Sequence, residues 1–307
     1  MKNSIIRRFA LLAIVMLGMT VSDAFSQSAN RTWWNSLPTA WKKIIQQQEL
    51  KGKDITPTDE MLEDIVNIKS IVCSGNKEIT DLKPLARLKA LEYIDCSNTN
   101  ITSLTGIENL TNLRELNCSN NDNVNSLMPC QHLGNLENIN CGNTMVKSLA
   151  PLKSLTRLKK LDVHFCTVNN LSVICELKNL VYLNVAQNQS LYSLTGVEKL
   201  INLVELDCSE TNLTDLSPLE TMKALETLNV SNTKVTTLRS LQFIKTLKEV
   251  DCSDTRISAA SLDYFFSHVK LTLLRGRNLE ITQKQINDFT SSFTKKNINC
   301  DVILTTK

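Results

Sequence analysis

Glycine, proline and histidine are scarce in this sequence, at 8, 6 and 3 residues among 307. So little glycine and proline excludes collagen-like and low-complexity chains, and 42% hydrophobic residues allow a long continuous core. Aromatic residues make up only 5%, so that core must be mainly aliphatic. The histidines, His132, His164 and His268, stand in no zinc-ligand spacing, and no C-x-x-C pair or phosphate-cradling glycine loop occurs. Beyond the N-terminus, no apolar run approaches the ~20 residues of a membrane-spanning helix. The reading is therefore non-enzymatic, with no cofactor and no metal.

The N-terminus has the three parts of an export leader. Lys2, Arg7 and Arg8 precede an apolar segment from Phe9 to Thr20, and Ala24-Phe25-Ser26 offers small residues for cleavage before Gln27. The apolar segment, about twelve residues, is too short to span a bilayer. Residues 1–26 are thus expected to be a signal peptide, and the product an exported protein (periplasmic, cell-surface or secreted) with no transmembrane anchor after cleavage. No cysteine lies near the cut, so no lipid anchor is expected. The formal net charge of +3 falls to about +1 without Lys2, Arg7, Arg8 and Asp23, which is not the footprint of a nucleic-acid binder.

The rest is organised by a repeated phrase. Leu113 to Asn121 reads L-x-x-L-x-C-x-x-N, and its first position recurs at Ile68, Leu91, Leu113, Leu136, Leu158, Leu180, Leu203, Leu225 and Leu247, at intervals of 22 or 23 residues. The fourth position is always Leu, Ile or Val. The sixth is Cys or Val: Cys73, Cys96, Cys118, Cys141, Val163, Val185, Cys208, Val230 and Cys252. Polar residues alternate with these, which predicts a short strand with one face inward. Downstream, apolar residues spaced by three, often with proline as in Leu82-Lys83-Pro84-Leu85, predict tight 3₁₀ turns. The ninth position is Asn in the 23-residue units (Asn76, Asn121, Asn188) and Thr or Cys in the 22-residue ones. The amide can hold a wider turn, so the extra residue is expected just after each Asn.

Both ends differ from the repeats. Residues 27–67 predict a helical N-terminal cap. Trp33, Trp34 and Trp41 are the only tryptophans, and they fit either a plug over the exposed end of the core or a glycan-stacking platform. A second cap helix is expected to start with Thr56 as N-cap and Pro57 at its first position. Residues 269–307 predict a small α/β C-terminal cap. It comprises a strand over Val269 to Leu274, a helix opened by the capping box Thr282-Gln283-Lys284-Gln285, and a last strand over Cys300 to Leu304.

Phrases such as Leu110-Thr111-Asn112-Leu113-Arg114-Glu115-Leu116-Asn117-Cys118-Ser119-Asn120-Asn121 resemble the 22-residue leucine-rich repeat subtype of bacterial internalins and eukaryotic phosphatase regulators. The likeness covers about Ile68 to His268, some nine units of 22–23 residues. It implies an α/β solenoid, a right-handed horseshoe with parallel strands on the concave face and turns on the convex one. It also implies a module that binds proteins. No immunoglobulin-like domain, cell-wall anchor or catalytic domain is recognisable, so a host-receptor role does not carry over.

Ten cysteines in an exported chain ordinarily suggest disulfides, but cysteines at the same inward position of successive strands have parallel side chains ~4.8 Å apart, a poor fit to disulfide geometry. They read as small core hydrophobes. His164 beside Cys166, the one pair that resembles a catalytic dyad, has an inward cysteine and no visible group to orient a base. Function is therefore expected on the outward face. Its fifth positions run Val72, Asp95, Asn117, Asn140, Asp162, Asn184, Asp207, Asn229 and Asp251, and its seventh are mostly serine. The ladder suits solubility or a partner. The candidate binding residues are Tyr93, Asp95, Glu115 and Asn117, then Lys160, Asp162, His164 and Phe165 on one strand, Tyr182 and Asn184 on the next, and Glu205 and Asp207. A protein partner bound through the concave face is the main reading. A glycan-binding or adhesion module and a structural envelope component are the alternatives.

Overall fold

The computed structural model describes residues 21–296 and 298–307, residues 21–28 by their backbone alone. The leader falls mostly outside these, and the expected cleavage point lies within the first described helix, α1 (Val21–Ser36). Among the described residues no helix is long and apolar enough to cross a membrane.

Helices α1, α2 (Thr39–Glu49) and α3 (Asp59–Val66) form the N-terminal cap. Helix α2 buries Trp41, Ile44 and Ile45 along one face. Helix α3 begins two residues later than expected. Thr58, not Thr56, is its N-cap and accepts from the Met61 amide at 3.3 Å. Asp59 and Glu60 then occupy the first turn, where carboxylates complement the helix dipole, and Pro57 is buried ahead of the helix. Cap and repeats are joined by specific bonds. Asn30, fully buried, donates to Glu63 at 2.8 Å and accepts from Arg87 of the first repeat. The Trp33 indole donates to the Pro84 carbonyl at 3.0 Å, and Gln48 donates to the Val72 carbonyl at 2.8 Å on the otherwise open edge of the sheet.

Nine three-residue strands follow: β1 (Ser70–Val72), β2 (Tyr93–Asp95), β3 (Glu115–Asn117), β4 (Asn138–Asn140), β5 (Lys160–Asp162), β6 (Tyr182–Asn184), β7 (Glu205–Asp207), β8 (Thr227–Asn229) and β9 (Glu249–Asp251). With β10 (Leu273–Leu279) and β11 (Asp301–Thr306) they make one parallel sheet in sequence order. Equivalent repeat positions pair throughout, as Ile71 with Ile94 and Leu116 with Ile139. The first, fourth and sixth positions are buried in every repeat. Short 3₁₀ turns such as Lys83–Arg87 and Ala150–Leu152 return the chain on the convex side, with Pro84 and Pro151 near their starts.

Two recurring bonds close the turns within the repeats. In the 22-residue units the ninth-position threonine donates to the sixth-position carbonyl of its own unit, as Thr99 to Cys96 at 2.9 Å and Thr211 to Cys208 at 2.7 Å. In the 23-residue units the extra residue lies in a turn closed by the bond from the third residue after Asn back to the Asn carbonyl, at 3.2 Å for Ile79, 3.0 Å for Val124 and 2.9 Å for Leu191. The expected insertion point is therefore the observed one. The sixth-position cysteines are free and buried. Several donate to the carbonyl across the sheet, as Cys96 to Asn117 at 3.3 Å and Cys252 to Arg275 at 3.2 Å.

One regularity is not visible in residue type alone. The eighth position of every repeat has a positive φ: Gly75, Asn98, Asn120, Asn143, Phe165, Gln187, Glu210, Asn232 and Asp254, with Asn278 continuing the row. This left-handed residue turns each strand into its loop, and Gly, Asn and Asp suit it.

The C-terminal cap continues the sheet. Val269 is 81% exposed in a turn, and the strand expected from there begins only at Leu273, because Leu271 and Leu274 repeat the first and fourth inward positions of a further rung. Helix α4 (Ala259–Leu262) precedes this rung. Helix α5 (Gln283–Lys295) has the expected capping box and packs Phe289 and Phe293 against Phe266. The whole is a leucine-rich repeat horseshoe with a capped core at each end.

Candidate functional site

The outward side chains of β1–β9 form adjoining rows across the concave sheet. The residues just before β1–β5 form an outer row of alternating charge. Glu92 pairs with Lys69 (2.9 Å) and Arg114 (3.7 Å), and Glu137 with Arg114 (2.8 Å) and Lys159 (2.6 Å). The hydrogen bonds from Lys69 and Lys159, foremost, hold the Glu92 and Glu137 carboxyls below their ordinary range. This row neutralises itself.

The fifth-position row is largely engaged in the turn that follows it. Asp95 Oδ1 accepts from the Ser97 amide (2.9 Å) and hydroxyl (2.6 Å), Asn117 from Ser119 (3.2 and 2.8 Å), Asp207 from Ser209 (2.9 and 2.6 Å), and Asn184 from the Ala186 amide (3.0 Å). Asn and Asp both supply this oxygen, which explains why they interchange along the ladder. The turn needs the acceptor, not the charge.

His164 stands in the turn after β5 rather than on the strand. Its amide and its Nδ1 both lie against Asp162 Oδ1, at 3.0 and 2.7 Å. The ring fills the space beside Gly142, where a Cβ would come within 2.2 Å of it. Serine is the common residue at Gly142's position, so this glycine and this histidine are one adaptation. Gly142→Ser alone is expected to cost about 1–3 kcal/mol through overpacking. Gly142→Ser with His164→Ser restores the common rung and should recover most of that loss. Urea unfolding of the two single variants and the double variant measures the coupling, and additive losses would contradict it.

A shallow trough of about 480 Å³ occupies the middle of the concave face, lined among others by Tyr93, Glu115, Asn117, Lys160, Asp162, Tyr182 and Glu205. The remaining candidates lie elsewhere. Asp95, Asn184 and Asp207 flank the trough in the fifth-position row. Phe165, which the sequence groups with Lys160 and His164, lies on the loop rim and lines a separate hollow with Met145 and Cys166. It holds φ 48° and is 55% exposed, strained for a bulky aromatic. Asn138 and Asn140 complete the trough floor, and their polar but unremarkable identity gave no reason to single them out.

Electrostatically, the trough is distinct from the chain as a whole. The third and fifth positions of β1–β9 carry Glu115, Glu205, Glu249, Asp95, Asp162, Asp207 and Asp251 against Lys160 alone, in a chain of net charge +3. The tyrosines register this. Burial first, then Asp95 and Glu115, pushes the Tyr93 hydroxyl upward. Burial, then Asp162 and further carboxylates, does the same to Tyr182.

The cysteines are mostly inert. Burial raises the thiols of Cys73, Cys130 and Cys252 to about 12. Cys166 differs. Its hydrogen bond with the Cys141 thiol, helped by Thr144, lowers it to about 6 against the effect of burial. Among the described residues, no three His, Cys, Asp or Glu side chains gather in a way that could hold a metal ion.

The sequence matches a family model described as Leucine Rich repeats (2 copies) over residues 89–129 and 201–243. Comparison with curated proteins gives no match. Solved structures similar in fold include an internalin, inlF, of Listeria monocytogenes, at 19% identity and TM-score 0.55 over 87% of this chain and 90% of that one. A leucine-rich repeat protein of Leptospira interrogans is similar at 22% identity and TM-score 0.71, over 79% of this chain and 62% of that one. The functional domain of InlJ of Listeria monocytogenes, described as including a cysteine ladder, is similar at 20% identity and TM-score 0.58, over 72% of this chain and 56% of that one. The fold is that of a leucine-rich repeat solenoid, residues 89–129 and 201–243 carry the matched repeats, and such folds generally serve protein–protein interaction.

Proposed function

We propose that the chain is an exported, non-catalytic binding module that holds a protein partner in the trough of its concave face. The observation that carries this reading is the gathering of Tyr93, Tyr182, Glu115, Lys160 and Glu205, from five different strands, around one depression. Both tyrosines are half-buried, and tyrosine is a favourable anchor at interfaces. The fifth- and seventh-position Asp, Asn and Ser side chains largely bond to their own loops, so these longer third-position side chains are the ones best placed to reach a partner. The leader supports export, and a mature N-terminus at Gln27 would agree with it. The glycan reading rested on exposed tryptophans. Trp34 and Trp41 are 3% and 2% exposed, and no other observation favours it.

A photo-crosslinking residue placed at Tyr182 should capture a partner that the same residue at the exposed convex position Phe243 does not. For the purified partner, Tyr93→Ala with Tyr182→Ala should weaken binding about tenfold or more while leaving the melting temperature within a few degrees. Unchanged affinity, or equal capture from both faces, would sink the reading.

A further inference from the structure

The third-position row reads, from β2 to β7, Tyr93, Glu115, Asn138, Lys160, Tyr182 and Glu205, each paired in register with the next. It therefore contains the same corner twice. Tyr93 stands beside Glu115 on the neighbouring strand, with Asp95 two residues along its own. Tyr182 stands beside Glu205, with Asp207 diagonal to it and Asp162 on the other side. Each corner sets an aromatic ring among at least two carboxylates that act on its hydroxyl, an environment that favours an ammonium or guanidinium group. Four strand steps at ~4.8 Å put the two corners about 19 Å apart. Between them, in register beside Tyr182 and three strands from Tyr93, lies Lys160, the one cation of the third and fifth positions of β1–β9.

We infer that the partner presents a polypeptide segment with two cationic side chains about 19 Å apart, one for the Tyr93–Glu115 corner and one for the Tyr182–Glu205 corner, with no positive charge between them. This rests on the concave-face reading and adds the chemistry of its ligand. Charge complementarity is the argument. The Asp carboxylates here are not needed for folding, since neighbouring rungs make the same turns with Asn, and acids far outnumber Lys160 in these two rows although the chain without its leader is nearly neutral. Burial foremost, and the same carboxylates after it, raise the hydroxyls of both tyrosines. Lys160 sets the selectivity, because a continuous basic run would meet it directly.

Polyproline peptides supply a ruler. This helix has three residues per turn and rises ~3.1 Å per residue, so arginines three, six or nine residues apart share a face at about 9, 19 and 28 Å. Binding of these peptides, and of a six-residue version with glutamate replacing arginine, is measured by fluorescence anisotropy at low and high salt. The six-residue arginine peptide should bind at least about fivefold tighter than the other two, and weaken with salt. Glu115→Gln with Glu205→Gln should reduce that binding about tenfold with unchanged melting temperature, whereas Lys160→Gln should strengthen it and flatten the spacing preference. Equal binding of all spacings, equal binding of the glutamate peptide, no measurable binding at low salt, or no effect of the double variant would overturn the inference. If the ruler fails but Tyr93→Ala with Tyr182→Ala still releases a crosslinked partner, only the cationic chemistry falls. If neither variant affects partner or peptide, the concave-face reading falls with it.

Discussion

Asn121→Ala is expected to lower folding stability by about 3–5 kcal/mol, among the largest effects of any polar substitution in the chain. Asn121 is 2% exposed and replaces no apolar contact. Its Nδ2 donates to the carbonyls of Cys96 (2.9 Å), Cys118 (3.0 Å) and Ser119 (3.1 Å), and its Oδ1 accepts from the Thr99 amide (3.2 Å) and hydroxyl (2.9 Å). One side chain thus satisfies buried backbone groups of two successive repeats; its loss removes the bonds made to the Cys118 carbonyl and the Thr99 amide, while the Cys96 and Ser119 carbonyls keep those from Thr99 and Asn98. Asn188 repeats the arrangement with Val163, Val185, Ala186 and Val168, so Asn188→Ala should cost a similar amount. Asn76 belongs to the first repeat, with no earlier repeat to hold, and accepts only from the Glu78 amide. Its replacement by alanine should cost under about 1 kcal/mol. Asn121→Thr with deletion of Asn123 rebuilds the shorter unit and should recover part of the loss. Chemical denaturation reads all four, and equal losses at Asn76 and Asn121 would remove the inter-repeat account.

The rule behind this prediction was legible in residue spacing, because turn length and turn chemistry are coupled. A 23-residue interval and an Asn at the ninth position are two views of one wider turn. The inward positions were legible for the same reason: a slip of one residue would bury Asp95 or Glu115 in place of Ile94 or Leu116. The outward face was harder. Asp95, Asn117 and Asp207 look wholly partner-facing until one oxygen of each is seen to accept from the next turn, which leaves a second oxygen only on the aspartates. The grouping of Phe165 with His164 failed on a backbone angle. The eighth position is left-handed, which Asn at Asn98, Asn120 and Asn143 hints at. An aromatic residue there gives no such hint, and the ring is carried to the rim. Gly142 was passed over because its purpose, room for the His164 ring, depends on a residue 22 positions away. The ends gave ±2–4 residue errors of a common kind: Thr56 and Thr58 both suit an N-cap, and Val269 has strand propensity but no rung to occupy.

Trp41→Ala, by contrast, tests whether the cap is a plug or an ornament. Trp41 is 2% exposed among Ile44, Ile45 and the first repeats' aliphatic side chains in one continuous core, so its truncation should cost about 3–5 kcal/mol. All three tryptophans lie in the cap, which makes their fluorescence a reporter of the cap alone, while far-ultraviolet circular dichroism follows the whole solenoid. In the intact protein the two signals should unfold together, because Asn30, Trp33 and Gln48 bond cap to repeats and because an uncovered terminal repeat exposes its apolar face. In Trp41→Ala both transitions should move down together. The emission of Trp33 and Trp34 should then shift red at a lower denaturant concentration, and the variant should aggregate more readily on heating. If the fluorescence transition moves and the dichroism transition stays, the helices cover nothing that the repeats need, and the solenoid must be stabilised from its interior and its C-terminal cap alone.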